Sequence, residues 1–137
     1  LNINALTELV IGAAIEVHRA LGPGLLESTY ANALAHELTL RGVSVEREKQ
    51  VQAFYKGKDL GVSYRLDLFV EGVLVVELKA IEKVTPVHHA QVRSYLYWVQ
   101  KPLGLLLNFN VTLMKDGVYR VAHNLKDHSK LENWKRN

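Results

Sequence analysis

The chain has no cysteine among its 137 residues, and that absence removes disulfides, thiolate zinc sites, iron–sulfur clusters and a cysteine nucleophile together. Any metal must then be held by oxygen or imidazole. Also missing are any apolar run of about 18 residues or more and any basic segment followed by an apolar one at the start. Neither a membrane span nor a signal peptide is therefore expected, and a soluble, cytoplasmic protein with no membrane partner is the reading that follows. No internal repeat and no low-complexity tract is present. What is present is a hydrophobic content of 48%, enough to bury one core in a length that leaves little room for a second. The formal charge of +3 and the isoelectric point near 9.2 are compatible with a polyanionic partner, though many small domains are as basic.

From residue 4 to about 20, Val10, Ala13, Ala14, Val17 and Leu21 recur at helical spacing with Glu8, Glu16 and Arg19 off that stripe, which predicts an amphipathic helix. Gly22-Pro23-Gly24 breaks it. A second helical pattern runs through Leu26, Tyr30, Ala33, Leu34 and Leu38 to Arg41, closed by Gly42. Odd positions from 43 to 55 are mostly apolar, interrupted by Arg47 and Lys49, so one long or broken strand is expected there, with Lys56-Gly57-Lys58-Asp59 as its turn. Leu60, Val62, Tyr64, Leu66, Leu68 and Val70 then alternate with mostly polar residues. After Glu71-Gly72, residues 73–80 are apolar except for Glu77 and Lys79, which reads as a hairpin ending in a buried strand. Thr85-Pro86 has the chemistry of a helix start, with the helix running to about Gln100. Residues 103–109 form a further buried strand, and Asp116-Gly117 punctuates a last hairpin between Leu113-Met114-Lys115 and Val118-Tyr119-Arg120. On this reading residues 1–125 are one α/β domain, and the polar, basic residues 126–137 are a frayed helix or a disordered tail.

A Glu-x-Lys triplet alone means little, because both residues are common. Here, however, Glu77 and Lys79 share one face of a strand that is otherwise apolar, so they must be paired or bind an ion. The hairpin register follows from hydrophobicity, since a slip of one residue exchanges the faces of a whole strand. With only Glu71 and Gly72 in the loop, Leu66 would pair with Glu77, and apolar and charged residues would share a face. If Val70 instead pairs with Leu74 across a three-residue loop or a bulge, then Leu66, Leu68, Val70, Leu74, Val76 and Leu78 make one continuous apolar face. The second register is expected, and it sets Asp67 opposite Glu77 with Lys79 one step on. Two carboxylates so close repel unless a proton or cation intervenes, and hard oxygen ligands favour Mg²⁺ or Mn²⁺. The plainer alternative is an Asp67–Lys79 ion pair at a sheet edge.

The order helix, strand, Asp67, strand, Glu77-x-Lys79, helix resembles the PD-(D/E)xK nuclease superfamily. More closely it is similar to the GxxExxY family within it, through Gly24-Leu25-Leu26-Glu27-Ser28-Thr29-Tyr30, Tyr64-Arg65-Leu66-Asp67, Val76-Glu77-Leu78-Lys79-Ala80 and Leu105-Leu106-Leu107-Asn108-Phe109. The resemblance implies a restriction-endonuclease-like core, a central mixed β-sheet flanked by helices. It further implies that Asp67 and Glu77 are metal ligands, that the Leu78 carbonyl adds another, and that Lys79 orients the attacking water or steadies charge on the phosphorane. Glu27 would be a further acidic ligand; otherwise it is a first-turn acid complementing a helix dipole. Tyr30 reads better as a core aromatic. Asn110 departs from the glycine expected after Phe109, in a turn away from the metal site.

On the helix after the trio, Gln91 and Tyr95 are four apart and share a face, with His88 three before Gln91. The pair resembles the additional motif of RecB-type nucleases, although a polar stripe on an amphipathic helix looks the same. His88 and His89 point about 100° apart and make a poor joint zinc site. Two functions follow from these residues. One is a Mg²⁺- or Mn²⁺-dependent nuclease acting on nucleic acid, with DNA the expected partner. The other is a catalytically weak accessory module on the same fold that binds nucleic acid or protein. The intact trio favours the first, and the lack of an evident reader helix or base-stacking aromatic pair favours the second. Self-association as a homo-oligomer is left open.

Overall fold

The computed structural model describes residues 2–123, so the tail reading for residues 126–137 lies outside the described residues. Helix α1 (Ile3–Leu21) begins where the Asn2 side chain accepts the Ala5 N–H at 2.8 Å. It buries Leu6 and, of the predicted stripe, Val10, Ala13, Ala14 and Val17, while Leu21 is exposed. Helix α2 (Glu27–Leu40) ends in a Schellman arrangement. Gly42, at φ +79, gives its N–H to Thr39, and Val43 gives its own to Leu38, which satisfies two terminal carbonyls.

Five strands follow in the order β1-β2-β3-β4-β5 across a single sheet. They are β1 (Val45–Tyr55), β2 (Lys58–Val70), β3 (Leu74–Lys79), β4 (Leu103–Asn108) and β5 (Val118–Ala122). Only β3 and β4 run parallel, joined by the crossover helix α3 (Pro86–Val99). One cluster packs Tyr30, Leu34, Leu38 and the α1 stripe on Leu68, Val70, Leu74, Val76, Leu78, Leu105 and Leu107. The other packs Val92, Tyr95 and Leu96 of α3 on Phe69, Val75 and Leu106. Alternate residues of β3 and β4 divide between the two, so the sheet lies between α1–α2 and α3 in a three-layer α/β fold. No helix among the described residues is long and apolar enough to cross a membrane.

The expected β2–β3 register is present: Val70 pairs with Leu74 and Leu68 with Val76, across Glu71, Gly72 and Val73, with Glu71 and Gly72 both left-handed. Three other expectations need correction. Leu66 does not join Leu68 and Val70; it packs in the α3 cluster beside Val51. The alternation slips at Asp67, opposite Glu48, whose φ of +52 kinks the neighbouring strand between its pairs Arg47–Leu68 and Lys49–Leu66. The β1–β2 turn is only Lys56-Gly57, both left-handed as a tight two-residue hairpin needs. The strands therefore run on to a tip where Leu60, Val62 and Tyr64 remain exposed.

The last hairpin does not form. Residues Met114–Gly117 make a 3₁₀ turn, Met114 drops into the α1–α2 cluster, and β5 pairs with β4. Three-residue arms have little to gain from pairing with each other when the open edge of a buried strand is available. Gly117 is required for a different reason from the one expected, because a Cβ there would lie 2.0 Å from the Asn108 carbonyl oxygen.

Candidate active site

The β2–β3 pairing gives way at Asp67 and Glu77, and there side chains replace the ladder. The Asp67 N–H donates to Glu77 Oε1 at 2.9 Å, and the Leu78 N–H donates to Asp67 Oδ2 at 2.8 Å. Each carboxylate thus satisfies a backbone donor next to its partner, which anchors both against the strands. Glu77 is only 4% exposed. Burial first, and then the Asp67 charge, push its carboxyl up to about 9; the Asp67 N–H and the Lys79 charge pull the other way without prevailing. Burial thus favours the protonated form of Glu77.

Lys79, the next residue on that face of β3, reaches Gln91 Oε1 on α3 at 3.4 Å. The ion pairs among the described residues are Arg19–Glu16, Arg41–Glu37, Lys49–Glu46 and Arg120–Glu8, so the Asp67–Lys79 bridge is not formed among them. Tyr95, one turn beyond Gln91, is 5% exposed. Its hydroxyl is pushed up to about 12 by burial and then by the charges of Glu77 and Asp67. Gln91 and Tyr95 therefore both border the trio. His88 is occupied elsewhere: its Nδ1 accepts the Thr85 N–H at 2.9 Å, the place Glu or Gln fills in a capping box.

Glu27 opens α2 and lines a cleft of about 310 Å³ with Ser28, Ala31, Arg47, Glu48 and Asp67. The residue as a whole is exposed, yet partial burial of its carboxyl and the Asp67 charge raise its pKa, with Lys79 and the Ala80 N–H opposing. The turn before it is pinned by Tyr30, a fully buried core aromatic stacked on Phe109 at 4.6 Å. The Tyr30 hydroxyl donates to the Gly22 carbonyl at 2.5 Å and accepts the Leu25 N–H at 3.1 Å. Tyr30 thus fixes where Glu27 emerges.

Asn108 entered the sequence reading only inside the Leu105–Phe109 motif, with no role assigned. Buried at 3% exposure, it donates to the Ile81 carbonyl at 3.0 Å and accepts the N–H groups of Ile81 and Asn110, clamping the chain as it leaves Lys79. A lone amide in the apolar run of β4 was the available signal, of the same kind that singled out Glu77. Asn110 does not adopt a positive φ, so no glycine is needed there. Arg47 bonds to Asn32 on α2 and supplies the one cation among the residues lining the cleft; the spacing marked it only as an interruption of the apolar alternation in β1.

Among the described residues no group of three His, Asp or Glu side chains forms a ready-made metal cage. The donors that do converge are a hard-oxygen pair, Asp67 and Glu77. That fits a hard divalent cation, which one or two carboxylates can hold together with substrate phosphate and water.

A mixed five-stranded sheet between helices is the architecture of restriction-endonuclease-like proteins. The family model of the PD-(D/E)XK nuclease superfamily matches residues 4–121, and the chain belongs to that superfamily. No curated protein and no solved structure gives a significant match.

Proposed function

We propose that this protein is a Mg²⁺- or Mn²⁺-dependent nuclease that hydrolyses phosphodiester bonds, with DNA as substrate, and that within its superfamily it is of the GxxExxY type through Gly24, Glu27 and Tyr30. The observation that carries the reading is the Asp67–Glu77 pair, interlocked through the backbone beside Lys79 where the β2–β3 ladder ends. A divalent ion, when bound, supplies Lewis-acid activation of the phosphoryl group and of water. Asp67 and Glu77 would hold it, with the Leu78 carbonyl and Glu27 as further oxygen donors. Lys79, steered by Gln91, orients the attacking water and offsets charge developing on the phosphoryl oxygens. Tyr95 closes the α3 side of the pair, and Arg47 meets substrate phosphate at the mouth of the cleft.

Incubation of single- and double-stranded DNA and RNA with Mg²⁺, Mn²⁺ or chelator tests the proposal. Asp67→Asn serves as control, because its amide oxygen still accepts the Leu78 N–H. Metal-dependent cleavage lost in the variant supports it. Equal cleavage by both proteins, or binding by the wild type without cleavage under every condition, refutes it and leaves the accessory-module reading.

A further inference from the structure

The fold assembles the aromatic platform that spacing alone did not reveal. Phe54, near the end of β1, comes together with Tyr97, Trp98, Arg93 and Ser94 of α3 to line a groove of about 370 Å³, within the usual range of ligand sites. Phe54 is 45% exposed. Trp98 is held in place by its indole N–H, which donates to the Phe54 carbonyl at 3.4 Å, and by stacking on Tyr64 at 5.5 Å and 17°. Tyr97 meets the His123 ring edge-on at 5.7 Å. Rings fixed by such contacts lose little freedom when something stacks on them.

The chemistry of the lining selects an occupant. Aromatic faces accept any flat π-system, and a planar guanidinium in the same groove suits a phosphate or a carbonyl edge. A nucleobase on its phosphodiester backbone offers both at once, whereas a purely aliphatic side chain would leave Arg93 without a counterpart. The groove also lies on the helix that borders the acidic pair. Trp98 follows Gln91 by seven residues, about 10 Å along α3, which a stacked strand covers in roughly three nucleotides.

We propose that this groove is a nucleobase subsite that takes an unpaired base of single-stranded nucleic acid, two or three nucleotides from the phosphodiester at Asp67 and Glu77. The spacing to the scissile bond rests on the nuclease reading; base binding does not. Titration of the full chain in chelator, where hydrolysis is off, with fluorescein-labelled (dT)12, (rU)12 and an abasic strand of equal length reads the groove alone. At least one base-bearing strand should bind about tenfold or more tighter than the abasic one. Phe54→Leu and Tyr97→Ser should each weaken it by about 5- to 100-fold, while Phe54→Tyr, which restores the ring, binds like wild type. Thermal melts unchanged in these variants exclude misfolding as the cause. Equal binding of abasic and base-bearing strands, or wild-type affinity in Phe54→Leu, overturns the proposal. So does a change in sedimentation with oligonucleotide affinity unaltered, which would make the groove a contact between copies of the chain. Base-dependent binding without any Mg²⁺-dependent cleavage would sustain the groove and reject the nuclease; cleavage with base-independent binding would do the reverse.

Discussion

Replacing Glu77 with glutamine should flatten the pH dependence of metal-free stability, because burial pushes the Glu77 carboxyl far above its ordinary range. Its pKa rises from 4.5 in the unfolded chain to about 9 in the native one, chiefly through burial. Between those values the native state keeps a proton that the unfolded state has released, so the contribution is fully present below pH 4.5 and fades as pH rises towards 9. Each pH unit in that window costs ~1.4 kcal/mol. From pH 5 to pH 8 the loss is therefore ~4 kcal/mol, a large share of the ~5–15 kcal/mol that stabilises an ordinary domain. Glutamine mimics the protonated acid: its carbonyl accepts the Asp67 N–H and its amide donates to the Asp67 carboxylate. Urea unfolding followed by far-UV circular dichroism, with chelator, at pH 5, 6.5 and 8 measures the effect. Wild type should lose stability steadily across the series, and the difference between wild type and Glu77→Gln should grow with pH in favour of the variant. A difference that stays constant with pH would refute the reasoning, since it would mean that Glu77 titrates alike in both states.

Divalent metal should stabilise the wild type by ~2.7 kcal/mol at a hundredfold excess over its dissociation constant and should barely move Asp67→Asn, which thermal melts with chelator and with excess Mg²⁺ or Mn²⁺ will show. Asp67→Ala should melt below Asp67→Asn in chelator, because it leaves the Leu78 N–H without an acceptor at a cost of ~1–3 kcal/mol. Tyr30→Phe loses the bonds to the Gly22 carbonyl and the Leu25 N–H; it should destabilise by ~1–2 kcal/mol and lower the cleavage rate through misplacement of Glu27, measured as kcat at saturating metal. Gly117→Ala should cost at least the ~1–3 kcal/mol of overpacking, seen as a reduced denaturation midpoint, since the contact it makes is with backbone and cannot swing aside.

The sequence by itself determined those features that depend on local period and on the cost of burying charge. Helix stripes, the Tyr30 core position and the start of α3 could all be read from spacing and capping chemistry. So could the meeting of Asp67 with Glu77, because a one-residue slip of β2 against β3 would have put Glu77 and Lys79 on the same face as the apolar residues of β2. Tertiary structure decided what depends on distant partners. Leu66 packs with the α3 cluster rather than with Leu68 and Val70, on a strand whose partner carries the left-handed Glu48 between the pairs Arg47–Leu68 and Lys49–Leu66. The last segment chose the open edge of β4 over its own neighbour, since a buried strand offers more pairing than a three-residue arm. His88 became a cap, Asn108 a clamp on the exit from Lys79, and Phe54 joined α3 to form a groove. None of these carries a sequence period, because each is set by which groups remain unsatisfied once the layers have packed.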